Sequence, residues 1–206
     1  MHNTRPAIAL LLAAFALVAP APSGAASLAA PSCWPAVPDG WQGVLLASES
    51  GRTVARADGL ADGRPLTLDT RFNIASLGKM FTAVAIGQLV DSGKLGFDDP
   101  VGRHLPELPP SFRPLTIAQL LSHTAGLGDY LSEAALDDVA KARSAADLLP
   151  LVVARPPRNV GTWDYSNSGY ALAGAVIERL TGQTLPAYLE DRVFAPAGMK
   201  TVGFSP

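Results

Sequence analysis

Apolar positions recur along this chain in three rhythms, and each predicts a different kind of element. From Met80 to Val90 the order Met-Phe-Thr-Ala-Val-Ala-Ile-Gly-Gln-Leu-Val is apolar nearly all round, as in a buried helix. A second helix is predicted from about Gly169 to Leu180, closed by Gly182. Thr116-Ile117-Ala118-Gln119 has the spacing of a capping box opening a short helix. Ser144 to Ala154 reads as a further helix, stopped by Pro156-Pro157. Two short runs, 44–47 and 53–56, flank Ser50-Gly51 and predict a β-hairpin. Pro106 to Pro114 reads as an irregular connector. Helices outnumber strands heavily, and one hairpin is left to represent a sheet.

The third rhythm is the unbroken apolar run from Ala7 to Val18, preceded by Arg5 and followed by the small residues Ser23-Gly24-Ala25-Ala26. That layout is a secretory signal peptide, with cleavage expected after Ala25 or Ala26. Twelve apolar residues fall short of the roughly 20 that span a bilayer. We therefore expect residues 1–26 to be a signal peptide, 27–42 an Ala- and Pro-rich linker, and 43–206 the globular region. The expected location is secreted or periplasmic, with no membrane span after cleavage. Removing the leader takes one of the 16 basic residues, leaving 15 against 18 acidic ones and a net charge near −3. Such a balance gives no footprint for nucleic acid or an anionic membrane. Cys33 is the lone cysteine, so an intrachain disulfide is excluded.

Composition names no chemistry; Ser76-Leu77-Gly78-Lys79 does. A serine and a lysine three apart at the start of a helix share one face, about a turn from each other. The amine then lies within hydrogen-bond reach of the hydroxyl. In a dry site its pKa would fall, so a neutral amine could take the serine proton. The competing reading is Ser76 as an ordinary N-cap with Lys79 in solvent. Against it, a cation in the first turn opposes the helix dipole, and the apolar helix offers almost no solvent face.

Tyr165-Ser166-Asn167 lies on a loop after the turn-prone Asn159 and Gly161, at the entrance to the helix near Gly169. A phenol with a lowered pKa beside a lysine could shuttle a proton, and the Asn167 carboxamide could hold a substrate carbonyl or orient the lysine. Tyr165 as half-buried packing and Asn167 as the helix N-cap are equally open from these residues alone. Neither His104 nor His123 has metal-ligand spacing, so no metal site is expected. His123 reads as a hydrogen-bonded turn residue and His104 as exposed in a loop. Asp98-Asp99-Pro100 reads as a turn rather than a catalytic acid pair.

Together the two motifs make this sequence resemble the serine penicillin-recognising hydrolases, in the branch of class C β-lactamases, D-alanyl-D-alanine carboxypeptidases and related esterases. The resemblance extends through Asp69-Thr70-Arg71-Phe72-Asn73-Ile74-Ala75, Leu89-Val90-Asp91-Ser92-Gly93-Lys94-Leu95, Ser122-His123-Thr124-Ala125-Gly126-Leu127 and Phe194-Ala195-Pro196-Ala197-Gly198-Met199. It covers about Gly43 to Phe204. The family's third motif, Lys-Thr-Gly or His-x-Gly on a later strand, is not found. His123-Thr124-Ala125-Gly126 precedes Tyr165, and Lys200-Thr201-Val202-Gly203 has one residue too many.

The resemblance implies an α/β fold of the β-lactamase/transpeptidase type. A helical region would stand beside an antiparallel sheet represented by its first hairpin, the domain being truncated on its C-terminal side. It implies acyl transfer: Ser76 as nucleophile, Lys79 and Tyr165 exchanging the proton, and Asn167 positioning substrate and lysine. The Ser76 backbone N–H would be half of an oxyanion hole. The implied substrates are a β-lactam, a D-Ala-D-Ala peptide or an ester, with no cofactor, no metal and a monomeric state. A penicillin-binding protein acylated without turnover, or an inactive truncated remnant, is the alternative, and this chain by itself is expected to be weakly active or inactive.

Overall fold

The computed structural model describes residues 39–131 and 136–204. The expected signal peptide, most of the expected linker and Cys33 lie outside those residues. The described residues fall into two compact units, dividing between Asn73 and Ile74.

The first unit is built from local turns. Strands β1 (Gly43–Glu49) and β2 (Arg52–Asp58) pair antiparallel, from Gly43 opposite Asp58 to Glu49 opposite Arg52. Ser50 and Gly51 both take positive φ, 49° and 77°, the requirement of the tight turn whose twist suits a hairpin. A second hairpin, unforeseen above, pairs β3 (Leu60–Ala61) with β4 (Arg64–Pro65). Its turn, Asp62-Gly63, has φ of 51° and 74°, so the same physics repeats with shorter arms.

The second unit is helical. A single 3-10 turn, Ala75–Gly78, runs straight into α1 (Lys79–Asp91). It is followed by α2 (Ile117–Leu121), α3 (Leu136–Lys141), α4 (Leu149–Val152), α5 (Asn167–Thr181) and α6 (Leu185–Leu189). The capping box is formed: Thr116 Oγ1 accepts from Gln119 N–H and Gln119 Oε1 accepts from Thr116 N–H. Helix α5 starts two residues earlier than its apolar rhythm predicts. Ser166, not Asn167, is its N-cap, accepting from Ser168 N–H, and Gly182 in the left-handed region closes it. The predicted helix over 144–154 is shorter, a 3-10 turn at Ala146–Leu148 leading into α4.

The described core gathers on α5, whose Leu172, Val176 and Ile177 are fully buried with Ile86, Ile117 and Leu120. Small residues let neighbours come close: a Cβ at Gly169 would stand 2.8 Å from the Leu120 carbonyl oxygen. Glu178 ties α5 to two other segments by accepting from the backbone N–H groups of Ala145, Ala146 and Leu185.

Two expectations fail here. Helix α1 is not buried all round: Thr82, Ala85, Ile86 and Leu89 face the core, but Met80 is 55% and Val84 47% exposed. His104 is buried at 8% exposure, its Nε2 3.1 Å from Asp99 Oδ2. Asp99 also accepts from Gly96 N–H and Arg103. Those bonds, the Gly96 amide first, hold its carboxyl below the usual carboxylate range. No helix among the described residues is long and apolar enough to cross a membrane.

Candidate active site

Ala75 takes φ 45° immediately before Ser76. A Cβ in the left-handed region costs roughly 1–2 kcal/mol, strain of a kind that gathers at functional turns. The 3-10 turn then carries Ser76 and Lys79 onto one face. Lys79 Nζ donates to Ser76 Oγ at 3.0 Å. The Ser76 side chain makes no helix cap; its oxygen is 2.7 Å from the Tyr165 hydroxyl.

The other half of the site arrives from a distant loop, docked on the turn after α2. Asp164 N–H donates to the His123 carbonyl at 2.8 Å, and Ser166 N–H to His123 Nδ1 at 3.2 Å. Tyr165 is thereby gripped on both sides, and its ring stacks on the His123 imidazole at 4.6 Å. Further along, Gly161 N–H donates to Thr124 O and Arg158 N–H to Gly126 O, each at 2.8 Å. His123 has φ 60° and Gly126 φ 66°, so the turn relies on two left-handed residues.

Asn167, the first residue of α5, completes the cluster. Its Oδ1 accepts from Lys79 Nζ at 2.6 Å, and its Nδ2 donates to Asp129 Oδ2 at 2.7 Å. Lys79 Nζ also sits 4.9 Å from the centre of the Tyr165 ring. The structure thus brings together all four residues singled out from the sequence, Ser76, Lys79, Tyr165 and Asn167. Two further side chains join them without having been anticipated in that role: His123, whose turn position was foreseen but not its stacking, and Asp129, which carried no signal in its local sequence.

The electrostatics favour loss of a proton from the phenol. Hydrogen bonding to Lys79, then to Ser76, lowers the Tyr165 pKa below its ordinary 10, outweighing burial and the Asp129 charge, which raise it. Among the described residues Ser76 is exposed and Tyr165 is 42% exposed. A hydroxyl held between a phenol of lowered pKa and an amine has the geometry that general-base assistance to a nucleophile requires. Among the described residues no group of three His, Cys, Asp or Glu could hold a metal ion.

Comparison with known proteins agrees in fold and in extent. The family described as Beta-lactamase matches residues 39–206. Penicillin-binding protein 4* of Bacillus subtilis is 34% identical over 170 residues, covering 77% of this chain and 37% of that protein. Esterase EstB of Burkholderia gladioli is 40% identical over 169 residues, covering 72% of this chain and 43% of its own. The crystal structure of a penicillin binding protein from Bacillus halodurans superposes with a TM-score of 0.67 at 36% identity, over 79% of this chain and 53% of that one. The chain therefore spans about half the length of these relatives, or less.

Proposed function

The chain belongs to the beta-lactamase family, with a β-lactamase/transpeptidase-like fold, and from that premise we propose that it serves a serine hydrolase working through an acyl-enzyme on Ser76. One observation carries the reading: Ser76 Oγ stands 2.7 Å from the Tyr165 hydroxyl and 3.0 Å from Lys79 Nζ. In the proposed reaction the Tyr165 phenolate accepts the Ser76 proton as Oγ bonds to the substrate carbonyl carbon. The proton then passes to the leaving group as its bond to that carbon breaks. Water, activated by the same phenolate, hydrolyses the ester on Ser76 and restores the hydroxyl. Lys79 holds the phenol acidic, and Asn167 orients Lys79 and the substrate. The Ser76 backbone N–H, in the first turn of a long helical segment, supplies one donor to the developing oxyanion.

The substrate classes supported are a β-lactam, a D-Ala-D-Ala peptide or a simple ester, in keeping with the names penicillin-binding protein and esterase among the relatives. We assign residues 1–26 to a secretory signal, 27–42 to a linker and 43–206 to part of the hydrolase domain, acting as a monomer outside the cytoplasm. The test is hydrolysis of p-nitrophenyl acetate by the full chain and by Ser76→Ala. Turnover lost in the variant supports the reading. Turnover that persists in it contradicts it, and a stable acyl adduct on Ser76 would favour the binding protein.

A further inference from the structure

We propose that Asp129 is a positioning residue for the reaction: it fixes the orientation of the Asn167 carboxamide and, through it, Lys79. The inference rests on the reading of Ser76 as nucleophile. A carboxamide has an acceptor end and a donor end of nearly the same shape. Only one orientation suits this site, because Lys79 has donors alone. With Oδ1 toward Lys79 the amide accepts at 2.6 Å; rotated by half a turn it would set donor against donor. Asp129 decides between the two. Its carboxylate is acceptor-only and takes Asn167 Nδ2 at 2.7 Å, which leaves Oδ1 for the lysine. The bonds run in one direction, from Lys79 Nζ into Asn167 Oδ1 and from Asn167 Nδ2 into Asp129, while Lys79 Nζ also reaches Ser76 Oγ.

Asp129 is itself held from several sides. Its Oδ1 accepts from Leu131 N–H at 3.0 Å. The residues flanking it are tied to the segment that carries Tyr165 and Asn167. Ser166 Oγ and Ser168 Oγ both donate to the Gly128 carbonyl, at 3.2 and 2.6 Å, and Tyr130 N–H donates to Ser168 Oγ at 3.1 Å. Ser168 is fully buried, so its hydroxyl is committed to this one loop. Two serines of the segment that presents Asn167 therefore place the carboxylate against that same asparagine. A residue that only shaped the surface would not need its neighbours pinned in this way.

The experiment compares the full chain with Asp129→Ala and Asp129→Asn. Asn keeps an oxygen to accept from Asn167, and Lys79, with donors alone, selects that arrangement by holding Asn167 Oδ1 at the far end; the exposed Leu131 bond is given up to solvent. With p-nitrophenyl acetate, Asp129→Ala should lose roughly 10- to 100-fold in kcat, the scale of a misplaced catalytic group. KM should change less than about threefold. Asp129→Asn should recover to within about threefold of the wild type. A kcat for Asp129→Ala within threefold of the wild type would overturn the proposal. So would an Asp129→Asn variant as slow as Asp129→Ala, since charge rather than acceptance would then be at work. A second measurement needs no activity: the side-chain amide resonances of Asn167 by NMR. Their hydrogen exchange should be slow in the wild type and in Asp129→Asn, and fast in Asp129→Ala. Unchanged exchange in Asp129→Ala overturns the positioning role on its own, whereas loss of the Ser76 reading would appear only in Ser76→Ala kinetics.

Discussion

Lys79 reaches Ser76 across three positions of sequence, while Tyr165 reaches it across 89 and Asn167 reaches Lys79 across 88. The first half of the site is a property of one helical turn: once Ala75–Asp91 is helical, the two side chains share a face whatever the rest of the molecule does. The second half is docked. Tyr165 stands where it does because the turn at His123–Gly126 grips residues 158–166 by four backbone-donated hydrogen bonds, one of them to an imidazole nitrogen. Local geometry makes the nucleophile robust, and long-range docking makes the acid/base partner the fragile member.

Chemistry at the docked half should show the largest effect. Tyr165→Phe keeps the ring stacked on His123 and removes only the hydroxyl. Its kcat on an activated ester should fall roughly 10²–10⁴-fold with the melting temperature nearly unchanged. A loss under about tenfold would reduce Tyr165 to packing and erase the comparison.

Breaking the dock without touching the chemistry comes next. Gly126 has φ 66°, and a Cβ there would lie 2.0 Å from the Arg158 carbonyl oxygen. Gly126→Ala should cost more than about 1 kcal/mol of stability and lower kcat roughly 10- to 100-fold through displacement of Tyr165. Gly78, between the nucleophile and its lysine, is the control: a Cβ there meets nothing within 4 Å and φ is not positive. Gly78→Ala should leave thermal stability unchanged or raise it slightly. Equal losses from the two substitutions would show that both halves depend on docking alike.

The smallest effect is a shift in pH dependence, separate from the larger fall in rate that removing Lys79 itself brings. Lys79 is the foremost cause holding the Tyr165 pKa below 10. If phenolate is the base, the rate of Ser76 acylation rises with pH through an apparent pKa below that value. Lys79→Met removes the cation that favours the phenolate, so that pKa should move upward. The other titratable groups nearby, His123, Tyr170 and Asp129, are untouched by the substitution. An apparent pKa that stays put would assign the titration to another group.

The same contrast explains what could be read in advance. The turn placing Lys79 beside Ser76 was legible because helix geometry fixes residues three apart. The hairpin about Ser50-Gly51 was legible because its arms are long enough to show a strand rhythm, whereas Asp62-Gly63 joins arms of two residues, too short to show one. That Tyr165 would lie on a loop entering a helix could be read, but not the turn that receives it. Nothing in the neighbourhood of Asp129 announces a partner for Asn167, because that contact spans 38 positions. His104 misled for the same reason: its burial follows from the folding of the 96–104 turn about Asp99, which no pattern of hydrophobic residues records. The apolar circumference of α1 predicted burial on every side, and the described residues cover only one face.

The central claim, that Ser76 is the residue acylated, has a direct test. The 206-residue chain is treated with labelled penicillin and with a fluorophosphonate, digested, and the modified peptide identified by mass spectrometry. We predict a single covalent adduct on the peptide bearing Ser76, absent from Ser76→Ala even though the variant's stability stays within about 1 kcal/mol of the wild type. An adduct on another residue, or one that survives Ser76→Ala, would contradict the account.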